Sequence, residues 1–399
     1  MSVGLYIHIP FCARKCPYCD FNSYAGLDAL QAPYVEALIA EMAWLAQRRK
    51  WQANTVFIGG GTPTILPLSL LTGVLDAVDT LFCVSPDAEI TVEANPGTVD
   101  AAYLAALRVA GVNRLSLGVQ SFHDDELRLL GRIHTVAEIM TAFRAARRAG
   151  FHNVSLDLIF GLPRQSPDRW RATLTQALAL EPEHLSLYSL TVEDGTPLAD
   201  WIARGDLPLP DDDLAADMYE LAEEMLEVAG YLHYEISNWA KGGACGSQGA
   251  THNLASVCRH NLVYWRNEAY LGLGAGAHSS WREHRWHNLP WPQDYVARMA
   301  EEGVGEASWE SPVVGEVEAI NGPLAMGETM MLGLRLLKEG VPLARFATRF
   351  GRSLLDVYAD ELASLQAASL VERLSDRVRL TRRGWLLGNQ VFGRFLPDA

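Results

Sequence analysis

Short β-branched strands alternate with helical stretches through the first half of the chain, and no other feature limits the possible folds so tightly. Residues 5–9 (LYIHI), 55–58 (TVFI), 89–93 (EITVE), 114–120 (RLSLGVQ), 153–160 (NVSLDLIF) and 184–190 (HLSLYSL) read as six strands. Residues 34–47, 99–110, 136–149 and 168–180 read as helices, several opened by Pro, Thr or Asp and closed by Gly. A strict βαβα order predicts a parallel sheet with crossover helices. The expected fold class is therefore α/β, a partial (β/α)6 barrel of TIM-like type. With 399 residues, 49% hydrophobic and 20% charged, the chain can fill such a core and a second, smaller unit.

Beyond the acidic linker PLPDDD (208–213), residues 214–228 read as a helix and YLHYEISNWA (231–240) as one further strand. The small, polar stretch 242–250 reads as a flexible loop. From residue 322 the pattern is helical until SLVERLSDRVRLTRRG, a β-hairpin followed by a last helix, which together suggest a winged-helix-like module. The expected division is a barrel over 1–230, connecting strands over 231–320, and the mainly helical module over 321–399.

The formal charge of −15 repels phosphate backbones, so no nucleic acid is expected as a partner. Residues 321–399 carry 11 Lys and Arg against 8 Asp and Glu, a local +3. That is the sole electrostatic support for a DNA-binding regulator using the wing. No apolar run approaches membrane-spanning length and the start MSVGLYIHIPFC lacks a basic n-region, so a cytoplasmic location is expected.

Three of the six cysteines, Cys12, Cys16 and Cys19, lie directly after the first strand. A Cys-x3-Cys-x2-Cys loop offers three thiolates, one fewer than a [4Fe–4S] cluster normally takes, and so leaves one iron open. An open iron can be chelated by the amino and carboxylate groups of S-adenosylmethionine, and electron transfer into the sulfonium can then release a 5′-deoxyadenosyl radical. The alternative is structural zinc with His8 as fourth ligand. Cys83, Cys245 and Cys258 show no ligand spacing, and Cys83, between Phe82 and Val84, reads as a small core residue.

GGGTPT (59–64) follows the second strand, where glycines let a ligand approach the backbone. Glu93, Gln120 and Asp157 each stand at or near the end of an apolar strand, the rim on which parallel barrels build their sites. Each also has a bland reading, as a helix cap, salt-bridge partner or hydrogen-bonding rim residue.

In order and spacing, LYIHIPFCxxKCxYCDF, GGGTPT, VEANP, GVQSF, GRIH and DLIFGLP resemble the radical S-adenosylmethionine family of oxygen-independent coproporphyrinogen oxidase relatives. The resemblance covers nearly the whole chain. Carried over residue by residue, it implies contacts to S-adenosylmethionine from Tyr6, Tyr18, Gly60, Gly61, Thr62, Glu93, Gln120, Arg132 and Asp157, with a further one at Thr191.

Two departures separate this chain from the dehydrogenase branch. The dehydrogenase extends tens of residues upstream of its cluster and has a fourth cysteine two positions after the third, where this chain has Phe21. RHNLVYW (Arg259–Trp265) instead resembles the HNxxYW signature of the family's haem-chaperone branch. That implies a haem contact at His260, with Tyr264 and Trp265 placed to lie against a macrocycle; an aromatic core cluster is the alternative. Some eighteen residues before the motif, including Cys245, His252 and Cys258, form an insertion relative to the branch. In LGLGAGAHS (271–279), His278 reads either as pocket lining or as structural.

The leading expectation is thus a haem-binding chaperone that passes haem to apoproteins such as respiratory haem proteins, without an assigned catalytic residue. The runner-up is radical decarboxylation of coproporphyrinogen III. The resemblance leaves room for peripheral contact with membrane-bound acceptors and for a homodimer.

Overall fold

The computed structural model describes residues 2–242, 256–301 and 311–397. Cys245 and His252, with most of the presumed flexible loop, lie outside the described residues.

Six parallel strands form where the sequence placed them: β1 (Ser2–Ile9), β2 (Gln52–Gly60), β3 (Cys83–Ala94), β4 (Arg114–Gln120), β5 (Val154–Phe160) and β6 (His184–Ser189). They pair in chain order. The crossovers are α1 (Gln31–Arg48), α2 (Leu68–Leu81), α3 (Ala101–Val109), α4 (Val136–Arg148) and α5 (Pro167–Ala179). α1 turns Tyr34, Val35, Leu38, Met42 and Leu45 onto the sheet, the spacing of one helical face. α4 starts on a capping box between Thr135 and Glu138. α5 starts with Ser166 accepting from the Arg169 N–H. Helices cover the sheet, so the strands are apolar almost throughout.

Cys83 is exposed rather than in the core. It opens β3 opposite Gln52 of β2, in a stretch of five residues that pairs in part with β2 yet stays unburied until Ala88. YLHYEISNWA is two strands, β7 (Tyr231–Glu235) and β8 (Asn238–Lys241), because the chain turns at Ile236 and Ser237. The turn is fastened by the Asn238 amide donating to the Glu235 carboxylate. This hairpin joins the sheet antiparallel to β6.

The sheet also grows past β1. β9 (Tyr270–Leu273) runs parallel to β1, and β10 (His278–Trp281), β11 (His284–Asn288) and β12 (Val314–Ala319) follow antiparallel. The result is one open twelve-stranded sheet, β12-β11-β10-β9-β1-β2-β3-β4-β5-β6-β8-β7.

Residues 326–395 close around a separate apolar cluster that includes Met330, Leu334, Phe346, Leu362, Val378 and Phe395. Helices and a three-stranded sheet, with Val371–Arg373 and Arg377–Leu380 as the hairpin, give the winged-helix-like shape. The terminal helix is broken, as Arg382–Leu386 and Gly388–Phe392. Half-buried ion pairs, Arg266–Glu339 at 2.7 Å and Arg345–Glu268 at 2.8 Å, hold this module to the sheet-bearing part.

Candidate functional site

The C-terminal ends of β1–β5 open into a cavity of about 540 Å³, lined by the three cysteines, all ten residues expected to touch S-adenosylmethionine, and His260. Cys12, Cys16 and Cys19 form part of one wall. Cys12 Sγ lies 3.7 Å from Thr62 Oγ1, Cys19 Sγ 3.9 Å from Ser23 Oγ, and Arg132 Nη1 3.6 Å from Cys16 Sγ. Burial pushes the Cys12 and Cys19 thiols above their ordinary pKa. Arg132 reaches the sulfur from the turn after a short helix, Asp124–Leu129. It also donates to the Gly118 carbonyl at 3.0 Å and to the Asn95 side chain. Asn95 Nδ2 in turn donates to Thr62 Oγ1 at 2.9 Å. A hydrogen-bonded frame thus fixes the cysteine wall to the ends of β2, β3 and β4.

Among the described residues, no three His, Cys, Asp or Glu side chains converge as a single tetrahedral ion requires. His8, the zinc alternative's fourth ligand, has Nδ1 within 2.9 Å of Tyr6 Oη and Nε2 within 2.8 Å of the Asn22 carbonyl. Three sulfurs on one wall of a roomy cavity suit a polynuclear cluster, whose irons take their thiolates at separate corners.

The glycine turn is required by its neighbours. Gly60 has φ +114°, and a Cβ there would meet the His8 ring at 2.6 Å. A Cβ on Gly61 would meet the Phe11 carbonyl at 2.6 Å and Cys12 Sγ at 3.0 Å. Bare backbone is what lets β2 end flush against the cysteine loop. Gln120 ends β4 in the left-handed region at φ 68°, beside a register shift in the β4–β5 pairing. Such strain at a strand end marks a side chain aimed for use.

The floor is charged. Glu93 accepts from the Gly60 N–H at 3.2 Å, and burial first, then Asp157, pushes its carboxyl up to about 8. Asp157 accepts from Ser116 Oγ at 2.9 Å and is also raised by burial. Buried Arg114 lies among Glu89, Asp157, Cys258 and Tyr234. Its burial alone would lower the pKa, but these neighbours hold it up, and its Nε has no partner among the described residues. A carboxyl that holds its proton, a second carboxyl beside it and an orphaned guanidinium donor fit a ligand that is cationic at one end and carries a carboxylate. S-adenosylmethionine meets that description. Tyr6, stacked on Phe57, and Tyr18, hydrogen-bonded to Arg132, add aromatic walls, while exposed Thr191 lies at the mouth.

RHNLVYW is a helix, α6 (Arg259–Trp265), which places His260 and Tyr264 one turn apart. The Glu89 carboxylate accepts from the N–H groups of His260 (2.9 Å) and Arg259 (3.0 Å), fixing the helix to β3. His260 is buried with both ring nitrogens engaged: Nδ1 lies 2.9 Å from Thr55 Oγ1 and Nε2 2.9 Å from Tyr264 Oη. Its ring stacks on Phe57, and burial lowers its pKa to about 3. Trp265 turns away to lie under Arg335, 4.4 Å from its ring centroid, so only Tyr264 of the pair faces the cavity.

The sequence reading missed Arg114, Asn95 and Tyr188, which also line the cavity. Arg114 opens the apolar strand RLSLGVQ, a position where a charge ordinarily faces water. Tyr188 gave no signal.

Residues 6–177 match the model of the radical SAM superfamily, and 324–387 that of the HemN C-terminal domain. The chain is 40% identical to the heme chaperone HemW of Bacillus subtilis, covering 98% of this chain and 99% of that one. It is 36% identical to the heme chaperone HemW of Escherichia coli, covering 99% and 98%. Among solved structures it is similar to coproporphyrinogen III oxidase (HemN) from Escherichia coli, a radical SAM enzyme. The TM-score is 0.82 at 25% identity, over 99% of this chain and 90% of that one.

Proposed function

The chain belongs to the HemW family of radical SAM heme chaperones, and from that membership we infer that it binds haem and hands it to apoproteins, with a [4Fe–4S] cluster and S-adenosylmethionine as cofactors. The observation that carries the reading is the HNxxYW helix, packed by Glu89 against the same cavity as the three cysteines. The cluster is held by Cys12, Cys16 and Cys19. When bound, it can supply an electron to the sulfonium. Glu93 and Asp157 would take up the cationic end of S-adenosylmethionine, and Glu93, which holds its proton when the site is empty, would give it up. The Gly60–Gly61 backbone, Thr62, Gln120 and Arg132 orient its polar groups, Tyr6 and Tyr18 exclude water, and Thr191 closes the mouth. His260 acts on haem through Tyr264, whose hydroxyl it holds in place.

We assign residues 1–230 to the cofactors, 231–320 to haem and 321–399 to support of the haem helix from behind. Membrane-bound respiratory haem proteins are the proposed acceptors, met peripherally by a protein among whose described residues no helix is long and apolar enough to cross a bilayer. A homodimer and a cytoplasmic location complete the proposal; size-exclusion chromatography and cell fractionation measure them.

Phe21, where the dehydrogenase has its fourth cysteine, disfavours coproporphyrinogen decarboxylation. An anaerobic assay decides. Cluster-reconstituted protein takes up haem stoichiometrically and passes it to an apocytochrome, leaving coproporphyrinogen III unchanged. Conversion of that substrate to protoporphyrinogen IX would overturn the reading.

A further inference from the structure

A second cavity, of about 460 Å³, adjoins the first and shares Tyr6, Phe21, Gly60, Glu93 and Tyr264 with it. The cysteines, Arg114 and Asp157 line only the first, so the part of the second beyond the shared residues is left for a further ligand. Its volume is within the range of small-molecule sites. Its walls are aromatic: Phe21 presents 64% of its surface, and the half-buried Tyr264 and Tyr270 meet edge to face with centroids 4.7 Å apart.

Three imidazoles approach the two cavities. Both nitrogens are engaged in His8 and in His260. His278, at the start of β10, is exposed, and neither of its ring nitrogens has a hydrogen bond among the described residues. Directly across the hairpin sits His287, with ring centroids 5.2 Å apart. His287 is itself tied down, Nδ1 lying 3.1 Å from the Asn288 carbonyl and Nε2 3.5 Å from Glu316. Burial first, then His287 and Arg285, lowers the His278 pKa, which keeps the imidazole neutral and its lone pair free at neutral pH.

The loop carrying Phe21 is fastened to the turn before His278. Asn22 Nδ2 donates to the Ala275 carbonyl at 3.0 Å and to that of Pro290 at 2.9 Å. An aromatic face and a free imidazole are therefore held in register by one side chain.

We propose that this second cavity, resting on the haem-carrier reading above, is the haem seat, with His278 as the axial iron ligand and Phe21, Tyr264 and Tyr270 as the surfaces that meet the porphyrin. A ligand at an open rim suits a carrier, because an acceptor's own ligand can reach the iron. His260 stays a positioning residue behind Tyr264.

Full-length, cluster-reconstituted protein titrated anaerobically with hemin tests this. His278→Ala weakens hemin binding about 10–100-fold and abolishes the histidine-ligated Soret and EPR signatures. Its iron–sulfur absorbance stays at the wild-type level, and added imidazole restores the ligated spectrum. His260→Gln loosens Tyr264 and so weakens hemin binding, but the histidine-ligated spectrum persists. If His278→Ala binds hemin with unchanged affinity and spectrum while His260→Gln loses both, the assignment is overturned and the haem-carrier reading stands. If the wild-type protein takes up no hemin, that reading fails and the assignment with it.

Discussion

Individual side chains at the site carry unequal burdens. Removing one of three thiolates leaves a cubane with two protein ligands, so Cys16→Ala should lose the brown absorbance, with bound iron falling well below about four per chain. Glu93 is predicted to set a pH dependence in the ligand-free protein. Its carboxyl, held near 8 by burial and by Asp157, keeps a proton in the fold that the unfolded chain loses near 4.5. The folded state binds more protons across that window, so stability falls as pH rises through it. Glu93→Gln should flatten the decline, gaining about 2 kcal/mol or more over wild type near pH 9, as read by urea denaturation at several pH values. A variant with the wild-type slope would reject Glu93 as its source. These residues were mostly visible in the sequence, because strand-end acids and a three-cysteine loop are unusual against an apolar background. Arg114 was not singled out, since a charged residue at the start of a strand normally faces water. Here β4 begins beneath the cavity floor and turns that charge inward.

Secondary-structure elements decide where those residues meet. Glu41 on α1 is wholly buried and accepts from the Gly274 N–H (2.9 Å), Asn288 (2.8 Å), Tyr295 (2.6 Å) and Ser311 (2.5 Å). It ties the barrel's first helix to the turn before His278. Glu41→Ala strands four buried donors and should cost roughly 3 kcal/mol. It should also raise hydrogen exchange in residues 272–288 before the rest of the sheet; uniform exchange would deny the tie. α1 and its apolar stripe were legible, as were β1–β6, because their periodicity is local. β9 was not read as a strand. LGLGAGAHS reads as a turn on glycine content, and only β1 alongside, accepting it in parallel, makes 270–273 extended. The hairpin of β7 and β8 was likewise read as one strand, its turn lacking glycine or proline.

The whole molecule couples site to stability. A ligand that binds only the folded state at 100 times its Kd adds about 2.7 kcal/mol. Saturating S-adenosylmethionine should therefore raise the melting temperature of cluster-loaded protein by several degrees, and Asp157→Asn should blunt the rise. An equal shift in Cys12→Ala protein lacking the cluster would mean that the cofactor does not need the open iron. Composition, strand–helix order and the motif series sufficed for the α/β class, the partial barrel, the cysteine triad and the family, because each depends on residues close in sequence or on a fixed order of short motifs. Contacts across long sequence separations decided the rest. Strands from 231–319 extend the barrel sheet on both edges, His260 is enclosed by Thr55 and Tyr264, and Asn22 brings a distant His278 beside Phe21. Which imidazole remains free to meet iron follows from packing among segments some 250 residues apart, and no local pattern encodes that.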